Sequence, residues 1–292
     1  MIYNLDNENL SISINNIGGE LYSIKGKKEK IEFLWNGNKD FWKFRSPILF
    51  PIVGKVNDGK YFVEGQPFEL PQHGLARIKE FKMIEKTINS ITFELMYNED
   101  TLKVYPYKFS LKIKYFIFND SLNIKYTVEN LDNKTINFSI GGHPAFMCPI
   151  LPEEKFEDYY LEFEKNENAN IMQINEFGYF TEQDIPYLKN EKFINFSPKG
   201  FTPDTLVFKN LKSSIINLKS KNHSKYIEFN FSNFPYLGIW TKSTGAPFVC
   251  IEPWFGHADF VNFKGEFKDK AGILTLPKNQ IFSCDYTITI HQ

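Results

Sequence analysis

Three cysteines in 292 residues, Cys148, Cys250 and Cys284, are odd in number and too widely spaced for a disulfide framework or a Cys-x-x-Cys metal site. Arginine is scarcer still: Arg45 and Arg77 stand against 32 lysines among 34 basic side chains. An excess of charge of one sign is missing too. The 34 basic residues face 35 acidic ones, for a net charge of −1, and no basic block occurs, which removes the electrostatic footprint of a nucleic-acid or membrane-surface binder. Apolar runs such as Ile48 to Val53 fall far short of the roughly 18 residues a membrane span requires. The opening MIYNLDNENLSISI has neither a basic stretch before an apolar run nor a small-residue cleavage site, so no secretory signal is expected and a reducing cytoplasm fits best. A neutral or mildly anionic small molecule is the expected partner.

Aromatic residues are abundant, with 30 Phe and 15 Tyr, and such rings favour the half-buried surface of a pleated sheet. LSISI from Leu10 and FSLKIKYFIF from Phe109 follow the period of two that a one-sided strand demands. Similar runs cover Leu122 to Val128, Tyr159 to Phe163, Tyr226 to Phe231 and Tyr286 to Ile290, separated by turn signals such as Glu64-Gly65 and Asn119-Asp120. Only Asn38 to Phe44 and Pro152 to Asp158 read as short helical connectors, so the strand-helix alternation of a parallel α/β sheet is lacking. The pattern predicts an all-β chain, a large antiparallel β-sandwich, with residues 1–292 forming one domain since no linker or repeat interrupts them. Lys165 to Asn195 is less regular and is expected to form an excursion over one rim.

Several residues suit chemistry, and each has a structural alternative. An arginine retained amid lysine suggests that a forked guanidinium is needed to grip several oxygens, although Arg45 or Arg77 could equally pair with a carboxylate. His73 lies in the turn-like PQHGLAR, where a side chain can project into a cleft or be a satisfied polar residue. His143 follows Gly141 and Gly142 and precedes Pro144, which places an imidazole at a sharp strand end. Glu252 is conspicuous in FVCIEPW because burial there should raise its pKa and make it a better proton acceptor. Cys250 shares its strand face by the period-two rule, but no motif pairs it with a histidine base. Trp240 and Trp254 flank Glu252 and are either core or platforms for the C–H face of a sugar, with Trp240 the candidate for ligand contact. Asp204, after Pro203, is a hydroxyl acceptor or a plain turn residue.

Taken in order, RSPILFPIVGKVNDGKY from Arg45, HGLAR from His73, GGHPAF from Gly141 and IEPW from Ile251 form a constellation. It resembles the aldose 1-epimerase family, and more narrowly the LacX-like branch of galactose mutarotase-type proteins, over essentially the whole chain. The resemblance implies the β-supersandwich fold of that family, in agreement with the strand pattern. It also implies that Glu252 is the general base and His143 the general acid, that His73 binds the sugar and polarises its ring oxygen, and that Arg45 and Asp204 hold hydroxyls. No metal or other cofactor is implied.

The expected reaction is interconversion of hexose anomers by ring opening. One group takes the anomeric hydroxyl proton while another protonates the ring oxygen, and the roles reverse on reclosure. The chain departs from the family's GRxxNR-like stretch, reading GKVNDG from Gly54 without either arginine. Related hexose-6-phosphate mutarotases use arginines in segments resembling RSP and HGLAR as a phosphate clamp, a part that Arg45 and Arg77 would suit. Two further readings are a sugar-binding protein without catalysis and a glycoside hydrolase, in which Asp204 or Asp259 would partner Glu252.

Overall fold

The computed structural model describes residues 1–197 and 205–292. Antiparallel pairing runs through all of the named strands. The alternation read from the sequence becomes alternating burial: Phe109–Phe118 and its partner Ser121–Asn130 turn Leu111, Ile113, Tyr115, Ile124, Tyr126 and Val128 to the core and Lys112, Lys114, Asn123, Lys125 and Glu129 outward. Fifteen strands join into one continuous sheet. An open sheet that wide, beyond about 10 strands, curls or folds back on itself because every strand pair adds twist. The result is an all-β sandwich around one large apolar cluster containing Phe50, Phe109, Phe138 and Phe163.

The path through this sheet begins with Ile48–Leu49, Ile140–Gly142, Phe248–Phe255, Tyr236–Trp240 and Thr205–Lys209, and only then reaches the long regular strands. Phe248–Phe255 departs from alternation because all but its last residue is buried, so both of its faces are covered. A close fit makes that burial feasible. The neighbouring strands present Gly141 opposite Trp254 and Gly238 opposite Glu252, and the Trp254 indole lies over both glycines. A Cβ on Gly238 would stand 2.6 Å from Trp254 Cζ2, and one on Gly141 would stand 2.7 Å from Trp254 Cδ1.

Three local expectations need correction. Asn38 to Phe44 is not a helix: the Asn36 and Asn38 side chains accept from the backbone N–H groups of Asn38 and Asp40, replacing helical hydrogen bonds with turns. Pro152 to Asp158 is helical only in its final turn, Phe156–Asp158. The α-helix lies instead at Glu99–Val104, where Asn98 and Thr101 form a reciprocal cap. Lys165 to Asn195 is also more regular than its sequence suggests. It belongs to a long hairpin, Tyr159–Ile174 with Phe180–Asn195, whose register shifts at several points and so scrambles the period of two.

Gly238→Ala should overpack the Trp254 contact. A loss of about 1–3 kcal/mol is expected, measured as a lower denaturant midpoint with an unchanged slope.

Candidate active site

Strand register places the central pair. The segment Ile140–Met147 runs antiparallel to Phe248–Phe255, with Gly141 opposite Trp254 and Ala145 opposite Cys250. Midway between those pairs, His143 faces Glu252, and its Nε2 stands 3.2 Å from Glu252 Oε2. His143 and Pro144 fall between the strands Ile140–Gly142 and Ala145–Met147, and Ile251 N–H bonds to Pro144 O across the gap. On the far side, His143 N–H donates to Pro47 O and Ala145 N–H to Arg45 O, so the histidine turn is held from both flanks.

Both side chains open onto a cavity of about 520 Å³ whose walls include Trp42, Lys55, Gln72, His73, Arg77, Trp240 and Trp254. Glu252 lies between two small apolar clusters, one containing Cys250 and the other Trp254. Burial raises its carboxyl well above the usual carboxylate range, opposed by the Trp254 indole N–H, which faces it without closing a well-formed hydrogen bond. Burial lowers His143 to about 3. Each shift reflects removal of a charge from water, so the pair is held neutral, with the carboxyl protonated and the imidazole uncharged. The Trp42 ring stacks on the imidazole at 4.7 Å, and Trp240 meets it edge-on at 5.8 Å. Glu252 Oε2, His143 Nδ1, Trp254 Nε1 and Arg77 Nε are buried without a hydrogen-bond partner among the described residues. Buried polar atoms are normally paired, so these four mark the part of the wall where polar groups are shielded from water and unsatisfied.

His73 reaches the same cavity from a left-handed turn, with φ at 65°. Its Nδ1 accepts from Gly54 N–H at 3.1 Å, and burial together with His143, Arg77 and Lys55 keeps the ring neutral. With Nδ1 accepting, a neutral ring carries its proton on Nε2, which stands 3.2 Å from Gln72 Nε2, so the Gln72 amide must be turned to present its oxygen there. Arg77 lines the cavity with its guanidinium 4.8 Å above Phe44. Arg45 does not line it. Its guanidinium lies 3.9 Å over the Tyr22 ring and donates to Tyr22 O, while its backbone N–H bonds to Glu20. Asp204 falls outside the described residues, although Thr205 next to it is on the wall.

Other expectations are relocated. Cys250 shares the face of Glu252 but is not on the cavity wall, and burial, with Glu252 nearby, pushes its thiol well up. His143, Cys250 and Glu252 nevertheless bring their donor atoms within 4.8 Å of one another, a set of ligand types that suits zinc. Asp259 is buried in an ion pair with Lys270 and is also absent from the wall, so it is not placed to partner Glu252 across a glycosidic bond. Among the described residues, the wall's other carboxylate, Glu176, is exposed on the hairpin tip.

Sequence reasoning missed Trp42, Lys55, Gln72 and the hairpin tip from Asn175 to Gly178. Trp42 was hidden by the helical reading of its segment, and its Asn-rich surroundings were the available signal for a turn. Lys55 is tied to the tip through Nζ to Phe177 O at 2.8 Å, a contact between segments far apart in the chain.

Comparison with known proteins agrees with this architecture. A family profile described as aldose 1-epimerase matches residues 1–275. The chromosomal protein LacX of Lactococcus lactis subsp. lactis is 35% identical over 298 aligned residues, spanning 99% of both chains. Among solved structures, a galactose mutarotase related enzyme from Lactobacillus acidophilus superposes with a TM-score of 0.94 at 30% identity, covering 100% of this chain and 98% of the other. A galactose mutarotase-like protein from Lactobacillus casei gives 0.93 at 28% identity, with both chains covered completely. The fold is thus that of the galactose mutarotase-like sandwiches. The chain belongs to the aldose 1-epimerase family.

The three thiols are buried and their pKa values are raised by burial. In the native protein they should resist a disulfide reagent at mildly alkaline pH and react together only when denaturant unfolds the chain. Fast labelling of Cys250 in the folded protein would revive it as a nucleophile.

Proposed function

We propose that the protein is an aldose 1-epimerase, an isomerase that interconverts the α and β anomers of a hexose through its open-chain aldehyde. The observation that carries this reading is the 3.2 Å approach of His143 Nε2 to Glu252 Oε2 on one cavity wall. Ring opening must remove a proton from the anomeric hydroxyl and deliver one to the ring oxygen, and those two oxygens share a carbon. Two proton-transfer groups so close together suit that demand. Glu252 takes the hydroxyl proton, His143 protonates the ring oxygen, rotation about C1–C2 turns the aldehyde, and the ring closes on its other face as the roles reverse.

This direction of transfer needs the shared proton on His143. Burial alone favours the neutral pair, but the Trp42 face over the imidazole stabilises the charged form. His73 exchanges the Gln72 amide for the sugar and donates its Nε2–H towards the ring oxygen, and Trp240 and Trp254 offer aromatic faces to the C–H groups of the sugar. Asp204 is assigned to a sugar hydroxyl by the family resemblance alone. Arg45 is assigned to holding the His143 turn, since its guanidinium is engaged by Tyr22.

Glu252→Gln should slow anomer exchange by about 10²- to 10⁴-fold, read by NMR exchange or polarimetry on fresh α-glucose or α-galactose, while sugar binding persists. Wild-type protein that binds sugar without accelerating exchange would make it a binding protein instead. Chelator should leave the rate unchanged, because proton transfer between an acid and a base is the whole of the chemistry.

The pH profile has a defined sign. Activity belongs to the pair holding one proton, so it should persist unaltered as pH falls through the ordinary histidine range near 6.5, because His143 gains a second proton only at about 3. It should fall on the alkaline side as the remaining proton leaves the raised Glu252 carboxyl.

A phosphorylated sugar is the second reading, favoured by the two cations, Arg77 and Lys55, on the same wall. Glucose 6-phosphate should then bind more tightly than glucose, and Arg77→Ala should erase the difference. Equal affinities would leave the free aldose as the substrate.

A further inference from the structure

Buried lysine is rare and buried aspartate nearly so, because each loses its hydration on leaving water. Lys270 and Asp259 are both almost fully buried, and Lys270 Nζ lies 2.5 Å from Asp259 Oδ1. Neither lines the sugar cavity. The other oxygen of Asp259 accepts from Asn57 N–H at 2.9 Å, and the Asp259 N–H returns to Lys55 O at 2.9 Å. The Asn57 side chain adds bonds to Phe260 O and Phe263 O. Residues 55–57 are therefore fastened to residues 259–263 by four hydrogen bonds around a locked ion pair.

The adjoining residue is Gly54, which holds His73 twice: its carbonyl accepts from His73 N–H at 2.7 Å, and its own N–H donates to His73 Nδ1 at 3.1 Å. Gly54 has a φ of 71° and packs so tightly on Ala258 that a Cβ would stand 2.6 Å from the alanine methyl. Ala258 directly precedes Asp259. A neutral imidazole presents one donor and one acceptor, and the partner of one nitrogen decides which the other will be.

We propose that Asp259, Lys270 and Asn57 are positioning residues that set the tautomer of His73: by clamping residues 54–57 they aim the Gly54 N–H at Nδ1 and so keep the proton on the Nε2 that faces the cavity. None of the three touches the ligand. The kinetic consequence rests on the epimerase reading, but the tautomer does not.

The test combines imidazole nitrogen NMR with kinetics. In the wild type, the His73 Nδ1 resonance should have the position of an unprotonated acceptor and Nε2 that of a donor. Asn57→Ala removes two fastenings without touching either buried ion. It should populate the opposite tautomer and lower kcat by up to about 100-fold, with KM changed much less. The double variant Asp259→Leu with Lys270→Met removes the ion pair and the acceptor for Asn57 N–H while leaving no buried charge unpaired, and should shift the tautomer and lower kcat in the same direction.

A wild-type His73 protonated on Nδ1 overturns the proposal whether or not any variant folds. It is equally overturned if folded Asn57→Ala retains the wild-type tautomer, whatever its rate. A tautomer that shifts as described in a protein with no epimerase activity leaves the positioning role standing and rejects the proposed function.

Discussion

The antiparallel pairing of Ile140–Met147 with Phe248–Phe255 is the constraint on which the site depends. It makes neighbours of His143 and Glu252, two residues distant along the chain, and does so through backbone geometry before any side chain is considered. Side chains on a strand alternate between faces, so a one-residue slip would send Glu252 to the opposite face and leave the imidazole alone. The register is pinned by shape. Trp254 fits only where Gly141 and Gly238 flank it, and the Arg45 to Pro47 segment bonds to the backbone on either side of Pro144.

Burial then converts position into reactivity. In water a carboxyl and an imidazole would differ little from thousands of others, but here desolvation pushes one up and the other down until the neutral form of each is the stable one. The surrounding aromatic wall does two jobs with the same atoms. It excludes water, which produces the shifts, and it offers flat faces which, on the proposed function, would take the C–H face of a sugar ring. The histidine nearest the pair, His73, is kept neutral by the same desolvation and by the cations Arg77 and Lys55.

Much of this was legible in the sequence because it depended on local pattern. The period-two run from Phe109 became the strand Phe109–Phe118, and an isolated glutamate in an apolar run marked Glu252 as buried. Legibility ended where structure comes from contacts between distant segments. Arg45 looked like a ligand because arginine is scarce, yet it spends its guanidinium on Tyr22, a partner that spacing does not reveal. Trp42 was concealed by a stretch whose composition suits a helix but whose asparagines close turns. The long hairpin was obscured by its own bulges, since each register shift resets the alternation that identifies a strand.

The neutral pair also has a thermodynamic shadow. His143 resists protonation in the folded chain more than in the unfolded one, so acidification below about pH 6.5 favours unfolding. Glu252 resists ionisation in the folded chain, so a rise in pH above its unfolded value favours unfolding as well. The two windows overlap, and no intermediate acidity relieves both strains. The fold carries its reactive centre as a permanent handicap, and the broad apolar interior must outweigh it throughout the working range.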